Sequence, residues 1–415
     1  MAGFLSWGVS NHRKARFSFS VKPSCNQELR RPEAPRATSR LLTDHAEKLL
    51  MITQKTVIES NINQQTSPNK LETIQSLRGI ACILVALYHL TGLTEKYLGS
   101  PFLFGSFYFG WAGVELFFVL SGFIMFKIHS IHIKSYEKWL NFIKKRVIRI
   151  YPIYLTLTIL VLPIYLISNF GENTKRSIPV IIKSLLLIPQ EIGVFPIITV
   201  GWSLSHEIFF YLIFSLSFLL PRNAFRTTFI TWCIATIIYN IAFKRFLIFS
   251  ELNFIFSPYN LEFALGGFAS AAAAKYHNKG SKFLVFGGII FIIIGILHNI
   301  DWIKTPITVT SLMFATASML IIFGAASLDL SRQPQLPRPL IYLGDASYSI
   351  YLTHGIIMNI ALVITHKLIS VEGIFLNFIS FIILILTLLG GCAVYQWVES
   401  PLLNTMRRRL RTLEK

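Results

Sequence analysis

From Ile74 onward the chain consists of long apolar runs separated by short polar interruptions, whereas residues 1 to 73 mix polar, basic and apolar positions without sustained periodicity. Ten runs approach or exceed the ~18 residues needed to cross a ~30 Å hydrocarbon layer. They fall at 74–92, 107–126, 150–168, 197–219, 227–243, 252–274, 283–299, 306–326, 340–365 and 373–398, and each predicts a membrane-spanning helix. A shorter run, Ile178–Ile188, is expected to lie in the interface. The first 73 residues carry Pro32, Pro35 and Pro68 and read as a disordered cytoplasmic tail. The opening MAGFLSWGVS is apolar for only a few residues before Arg13, Lys14 and Arg16. A secretory signal places its basic residues first, so no cleavage is expected, and Met51 is a second candidate start. The expected organisation is a tail over 1–73, a ten-helix membrane domain over 74–400 and a basic cytoplasmic tail over 401–415, in an all-α integral membrane protein.

Composition agrees: 53% of the 415 residues are hydrophobic, 14% are charged, and the mean hydropathy is +0.56, which excludes a cytosolic enzyme core. The net charge of +19 could suit nucleic acid, but the placement of the basic residues points to a bilayer instead. With the N-terminus inside, the inner loops and C-terminus carry 19 Lys and Arg against 8 on the outer loops, leaving the long tail aside. Both termini are therefore expected in the cytoplasm. Cys25, Cys82, Cys233 and Cys392 are scattered without C-x-x-C spacing, so neither a disulfide nor a metal site is expected.

Five formal charges fall inside the ten runs: Arg78, Glu115, Glu207, Glu262 and Asp345, joined by His89, His206 and His354, with His298 at the end of its own run. A charge at the membrane centre costs several kcal/mol, so such side chains face a protein interior or a watery cavity. Arg78 and His89 are about three helical turns apart, on one face, with ~16 Å of rise between them. Ser203 and Glu207 share a face at i,i+4, as do Trp202 and His206. Ser347, Tyr351 and His354 form another polar stripe at i, i+4, i+7. His89, Glu115, Glu207 and His354 are expected at middle to outer depth, while Glu262 and Asp345 read as structural. On the cytoplasmic side Lys144, Lys145, Arg146 and Arg149 precede Tyr151 and Pro152, which suits the first turn of a span. Arg146 and Arg149 share a face that could grip a phosphate, or anchor the span by the positive-inside rule.

In order along the chain, these elements resemble the acyltransferase family 3 membrane proteins, which acylate cell-surface sugars. The resemblance runs from about Ile74 to Pro401. It rests on Ser76-Leu77-Arg78-Gly79 with an R-x10-H spacing to His89, Gly113-Val114-Glu115-Leu116-Phe117-Phe118-Val119-Leu120-Ser121-Gly122, and R-x-x-R at Arg146 and Arg149 before Ile150-Tyr151-Pro152. It continues through Trp202-Ser203-Leu204-Ser205-His206-Glu207, Ser347-Tyr348-Ser349-Ile350-Tyr351-Leu352-Thr353-His354 and Glu399-Ser400-Pro401. The resemblance implies an acyl-CoA donor, most simply acetyl-CoA, bound from the cytoplasm at Arg146, Arg149 and Tyr151. It also implies a saccharide acceptor on the outer side, an essential Arg78 and His89 pair, no bound cofactor, and a place in the cell inner membrane. Because the chain ends at Lys415, soon after Glu399, the membrane-only version of the family is expected.

Acyl transfer from a thioester to a hydroxyl needs a base for the hydroxyl proton and positive charge or donors for the developing oxyanion. Neutral His89 suits the base and Arg78 the electrostatic support. Glu207 or Glu115 could orient an imidazole or bind the sugar, His354 could play either part, and a covalent acyl-His89 intermediate remains open. The rival reading from another class is a secondary transporter, since Glu and His inside a membrane also build proton relays. No paired repeat is visible in the runs, and the R-x-x-R pair has no task in a transporter. A noncatalytic scaffold explains none of the depth matching.

Overall fold

A computed structural model describes residues 71–129, 135–167, 177–243, 250–369 and 373–413, so nearly all of the expected tail over 1–73 lies outside the described residues. Among them every regular element is helical. In chain order these are α1 (Glu72–Leu98), α2 (Gly113–Ile128), α3 (Tyr136–Ile167), α4 (Ile178–Leu186), α5 (Gly201–Ser215), α6 (Arg222–Ile238) and α7 (Ser250–Ile255). They continue as α8 (Tyr259–Gly280), α9 (Lys282–Asn299), α10 (Ile307–Ser331), α11 (Arg338–Leu368), α12 (Gly373–Val394) and α13 (Ser400–Leu413). A π-helical turn, Tyr395–Glu399, joins the last two.

Seven helices among the described residues are long and apolar enough to cross a bilayer: α1, α2 with the turn before it, α3, α9, α10, α11, and α12 continued into α13. The remaining expected runs also fall mainly on helix, but in shorter or interrupted pieces: the 15-residue α5, the 17-residue α6, and α7 and α8 in succession. Helix faces turned inward bury Phe118, Phe210, Phe214 and Phe263 in one cluster and Phe123, Phe291 and Phe314 in another. The opposite faces are equally apolar: Ile159 and Leu160 on α3, Phe286 and Ile289 on α9, and Phe375 and Phe378 on α12 are all exposed. Helices apolar on every side belong in lipid, and the protein is a multi-pass membrane protein.

Lipid supplies no hydrophobic drive between helices, so close packing of small residues must hold the bundle together. α1 crosses α11 where Gly79 meets Gly344, and a Cβ added at Gly344 would strike the Gln75 carbonyl oxygen. α2 crosses α8 through Gly122 and Gly266, whose absent side chains would strike the Phe263 and Val119 carbonyls. The start of α1 is fixed by the Asp329 carboxylate of α10, which accepts from the Thr73 and Ile74 amides at 3.0 and 3.2 Å. An anion there satisfies free N–H groups and meets the positive end of the helix dipole.

Pro152 departs from expectation. The basic stretch before it is itself helical, so α3 starts at Tyr136 and both Pro152 and Pro163 lie inside the helix. The basic residues preceding the apolar run therefore form a turn-by-turn extension of the same helix, which carries Arg146 and Arg149 in rigid register toward the bundle.

Candidate active site

Helical periodicity sets the site. On α1 the three turns between Arg78 and His89 place the two residues at different depths, and each lines a different cavity. Arg78 borders two of them: a cavity of about 150 Å³ inside the bundle, and a vestibule of about 670 Å³ walled by α1, α3, α11 and α13. His89 borders a third, of about 700 Å³, between α1, α3 and α11. The stripe on α11 follows the same division, with Ser347 and Tyr351 lining the central cavity and His354 the one that holds His89.

The central cavity is a cationic chamber. Arg78 of α1 and Arg146 and Arg149 of α3 all line it. Arg149 donates to the Glu399 carboxylate at 2.7 Å, and that fully buried carboxylate also accepts from Ser349 at 2.6 Å. The same guanidinium lies 5.4 Å above the Tyr348 ring, and the Tyr348 hydroxyl donates to the Ile150 carbonyl at 2.8 Å. Arg146 lies 5.3 Å from both the Phe142 and Tyr211 rings, with its Nη2 3.4 Å from His129 Nε2. Burial, and then the neighbouring Arg146 and Lys145, push His129 down to about 4, so at neutral pH it is uncharged and its Nε2 can accept from the guanidinium. Among the described residues the three chamber arginines form a single ion pair, that of Arg149 with Glu399.

Glu207 stands on the other side of the chamber. It accepts from Ser121 at 3.0 Å and from the Tyr211 hydroxyl, and Ser121 and Tyr211 are themselves 3.2 Å apart. Ser347 Oγ and Arg146 Nε are buried without a hydrogen-bond partner. A bound molecule would satisfy such groups, because an unmet buried donor costs about 1–3 kcal/mol. Ser203 and Tyr351 share a hydrogen bond of 2.7 Å across α5 and α11. Both line the central chamber, while Val200, three residues before Ser203, and Leu352, next to Tyr351, line the cavity beyond.

In that farther cavity the His89 and His354 rings are 5.0 Å apart, centre to centre. His354 Nδ1 is 2.7 Å from the Tyr351 carbonyl oxygen. A carbonyl only accepts, so this contact assigns the proton to Nδ1 and the lone pair to Nε2. His354 is buried, and Nε2 has no partner. An imidazole held in that tautomer is ready to accept a proton at Nε2.

The expected residues thus divide among separate places. Arg78, Arg146, Arg149 and Glu207 come together in the chamber, while His89 and His354 pair in the neighbouring cavity. Glu115 is elsewhere, buried and accepting from Ser311 at 2.7 Å, with its other oxygen unpartnered. His206 packs among Phe118, Trp202, Phe254 and Tyr259, and Glu262 is fully buried with both oxygens unpartnered. Asp345 accepts from Gln75 at 2.8 Å and faces the vestibule. Tyr151, expected beside the arginines, donates to the Leu186 carbonyl at 2.9 Å and lines none of the three cavities. Glu399, Ser121 and Tyr211 were not among the expected site residues. Glu399 had a signal: it sits one residue beyond an apolar run and opens the Glu399-Ser400-Pro401 motif. Among the described residues no cluster of three or more His, Cys, Asp or Glu is arranged to hold a metal ion.

Comparison with known proteins adds to this geometry. The exopolysaccharide production protein ExoZ of Rhizobium meliloti is 28% identical over 316 residues, spanning 73% of this chain and 92% of ExoZ. The O-acetyltransferase OatA of Staphylococcus aureus is 26% identical over 379 residues, covering 82% of this chain, which spans only 58% of the length of OatA. No solved structure matches. The family model for the acyltransferase domain of acyltransferase family 3 matches residues 71–397, which takes in every helix that lines the chamber and the histidine cavity. The chain belongs to acyltransferase family 3 and is a multi-pass membrane acyltransferase.

Proposed function

We propose that the protein moves an acyl group, acetyl by default, from cytoplasmic acyl-CoA to a hydroxyl of a saccharide on the outer side of the cell inner membrane. Ten spans with both termini inside are part of this reading. One observation carries it: a chamber walled by Arg78, Arg146 and Arg149 adjoins a histidine-lined cavity along the single helix α11. Guanidinium groups suit a phosphorylated donor, because their planar forks bind phosphate oxygens in pairs. On the other side His354 Nε2 or His89 takes the proton of the acceptor hydroxyl. The hydroxyl oxygen then attacks the thioester carbon, the C–S bond breaks, and the departing thiolate takes up a proton. Arg78 lies about three helical turns from His89 and lines the chamber rather than the histidine cavity, so its positive charge serves the phosphates of the donor and not the reacting carbonyl. Transfer is direct, or passes through an acyl-His89 that the acceptor hydroxyl then cleaves, and either route needs the thioester to reach past Tyr351 into the histidine cavity.

The names of the relatives, exopolysaccharide production for ExoZ and O-acetyltransferase for OatA, favour a saccharide acceptor and an acetyl group. The purified full chain, incubated with acetyl-CoA labelled in the acetyl group, should cleave the thioester by transfer or slow hydrolysis. A thioester left intact in the presence of candidate acceptors would reject this reading and favour a transporter.

A further inference from the structure

Beyond Ser400, one wall of the vestibule lies outside the motifs. α13 starts immediately after Glu399, the residue that holds Arg149, and packs against α3. Ser400, Leu403, Asn404, Arg407 and Leu410 line the vestibule from this helix. Their spacing of three or four residues puts them on one face. Opposite them stand Lys145, Arg146 and Arg149 of α3 and Arg78 of α1. Five cations thus face one space of about 670 Å³, within the range of pockets that enclose small molecules. Two carboxylates temper them, and each already has partners: Glu399 holds Arg149 and Ser349, and Asp345 takes Gln75. The surplus is positive, and Arg407 is the part of it farthest along the chain from the chamber motifs. It follows Glu399 by eight residues, about 12 Å of helical rise.

This spacing bears on the shape of the donor. Coenzyme A carries phosphate at two places, a diphosphate along its length and a phosphomonoester on the ribose at its nucleotide end. Arginines of the R-x-x-R pair border both the chamber and the vestibule, so they stand where the chain of the donor would enter. Arg407 and Lys145 lie in the vestibule and do not line the chamber. We infer that α13 forms a wall of the nucleotide subsite of the donor, with Arg407, assisted by Lys145, binding the ribose phosphomonoester. The inference rests on the acyl-CoA reading above and assigns a binding role to a helix outside the residues that the family model matches. Leu403 and Leu410 on the same face supply apolar surface for the base.

The same cations could instead hold phospholipid headgroups, since a basic helix at a membrane surface attracts anionic lipid. The test separates the two sources. The full chain is reconstituted in phosphatidylcholine nanodiscs, and dissociation constants are measured for coenzyme A and for dephospho-coenzyme A, which lacks only the phosphomonoester. The parent should prefer coenzyme A by roughly tenfold, the worth of one charge-assisted contact. Arg407→Gln should lose that preference while binding dephospho-coenzyme A like the parent, which also shows that the variant is folded. Arg407→Lys should keep part of the preference. A parent that binds both ligands equally, or an Arg407→Gln variant that keeps the full preference, overturns the inference and leaves the donor reading standing. A parent that binds neither ligand overturns both. If phosphatidylglycerol in the disc abolishes the preference of the parent, the site belongs to lipid and the inference falls.

Discussion

His354 and His89 face each other across 5.0 Å, but only His354 has its tautomer set, by the Tyr351 carbonyl. A carbonyl partner that fixes the proton on Nδ1 leaves Nε2 as the acceptor, and general-base catalysis from such a group is typically worth ~10²–10⁴-fold. His354→Gln and His89→Gln keep size and some hydrogen bonding but cannot take up a proton. Each is expected to bind acyl-CoA as the parent does and to acylate the acceptor at least ~10²-fold more slowly. Activity within a factor of a few of the parent in either variant, at a matched amount of folded protein, would remove that histidine from the chemistry. At this scale the sequence was informative about which residues matter and silent about what they touch. Arg78, Glu207, His89 and His354 stood out because ionisable side chains inside apolar runs are costly. The partnership of Arg149 with Glu399 was not legible, because 250 positions separate them and nothing local requires it. Tyr151 shows the same limit from the other side: it stands two residues past Arg149, and its hydroxyl donates to the Leu186 carbonyl, a partner that adjacency to the arginine motif does not reveal.

Helices were legible where apolar length decides them and less so where polar sequence is also helical. The apolar run at 150–168 was plain, but the basic residues before it gave no sign that α3 begins at Tyr136 and carries two prolines in its interior. That extension matters, because it makes the arginine pair part of a rigid rod that points into the bundle. The crossing of α1 and α11 is likewise hidden in the sequence, although both glycines were in view. It brings the Arg78 and His89 face against the stripe of Ser347, Tyr351 and His354, and its closeness depends on Gly344 lying against the Gln75 carbonyl. Gly344→Ala should force the helices apart at a cost of about 1–3 kcal/mol, as overpacking does elsewhere. The expected result is a lower melting temperature in detergent together with reduced acyl transfer, since the chamber and histidine cavity are both walled by this pair. An Ala variant that melts and transfers like the parent would show that the crossing has room to spare.

Across the whole molecule the three cavities make a direction. The vestibule and chamber share Arg78, Arg146 and Arg149, and the histidine cavity begins where Ser203 meets Tyr351. A donor-to-acceptor path in that order requires the vestibule to open to the cytoplasm, which is the side that the basic loops also favour. The two arguments overlap, because Lys145, Arg146, Arg149 and Arg407 of the vestibule are among the 19 inner basic residues, but setting these four aside still leaves 15 inner against 8 outer. The shorter helices α5, α6 and α8 decide whether the chain crosses ten times or fewer, and so whether loops on either side of them share a face. Single cysteines at Arg222, the first residue of α6, and at Lys304, before α10, test this in a chain whose native cysteines are replaced by serine. With ten crossings and both ends inside, an impermeant thiol reagent applied to intact cells should label the cysteine at position 304 and leave the one at 222 untouched until the membrane is opened. Labelling of position 222 from outside would mean that α5 does not complete a crossing. The histidine cavity would then need a different route to its acceptor.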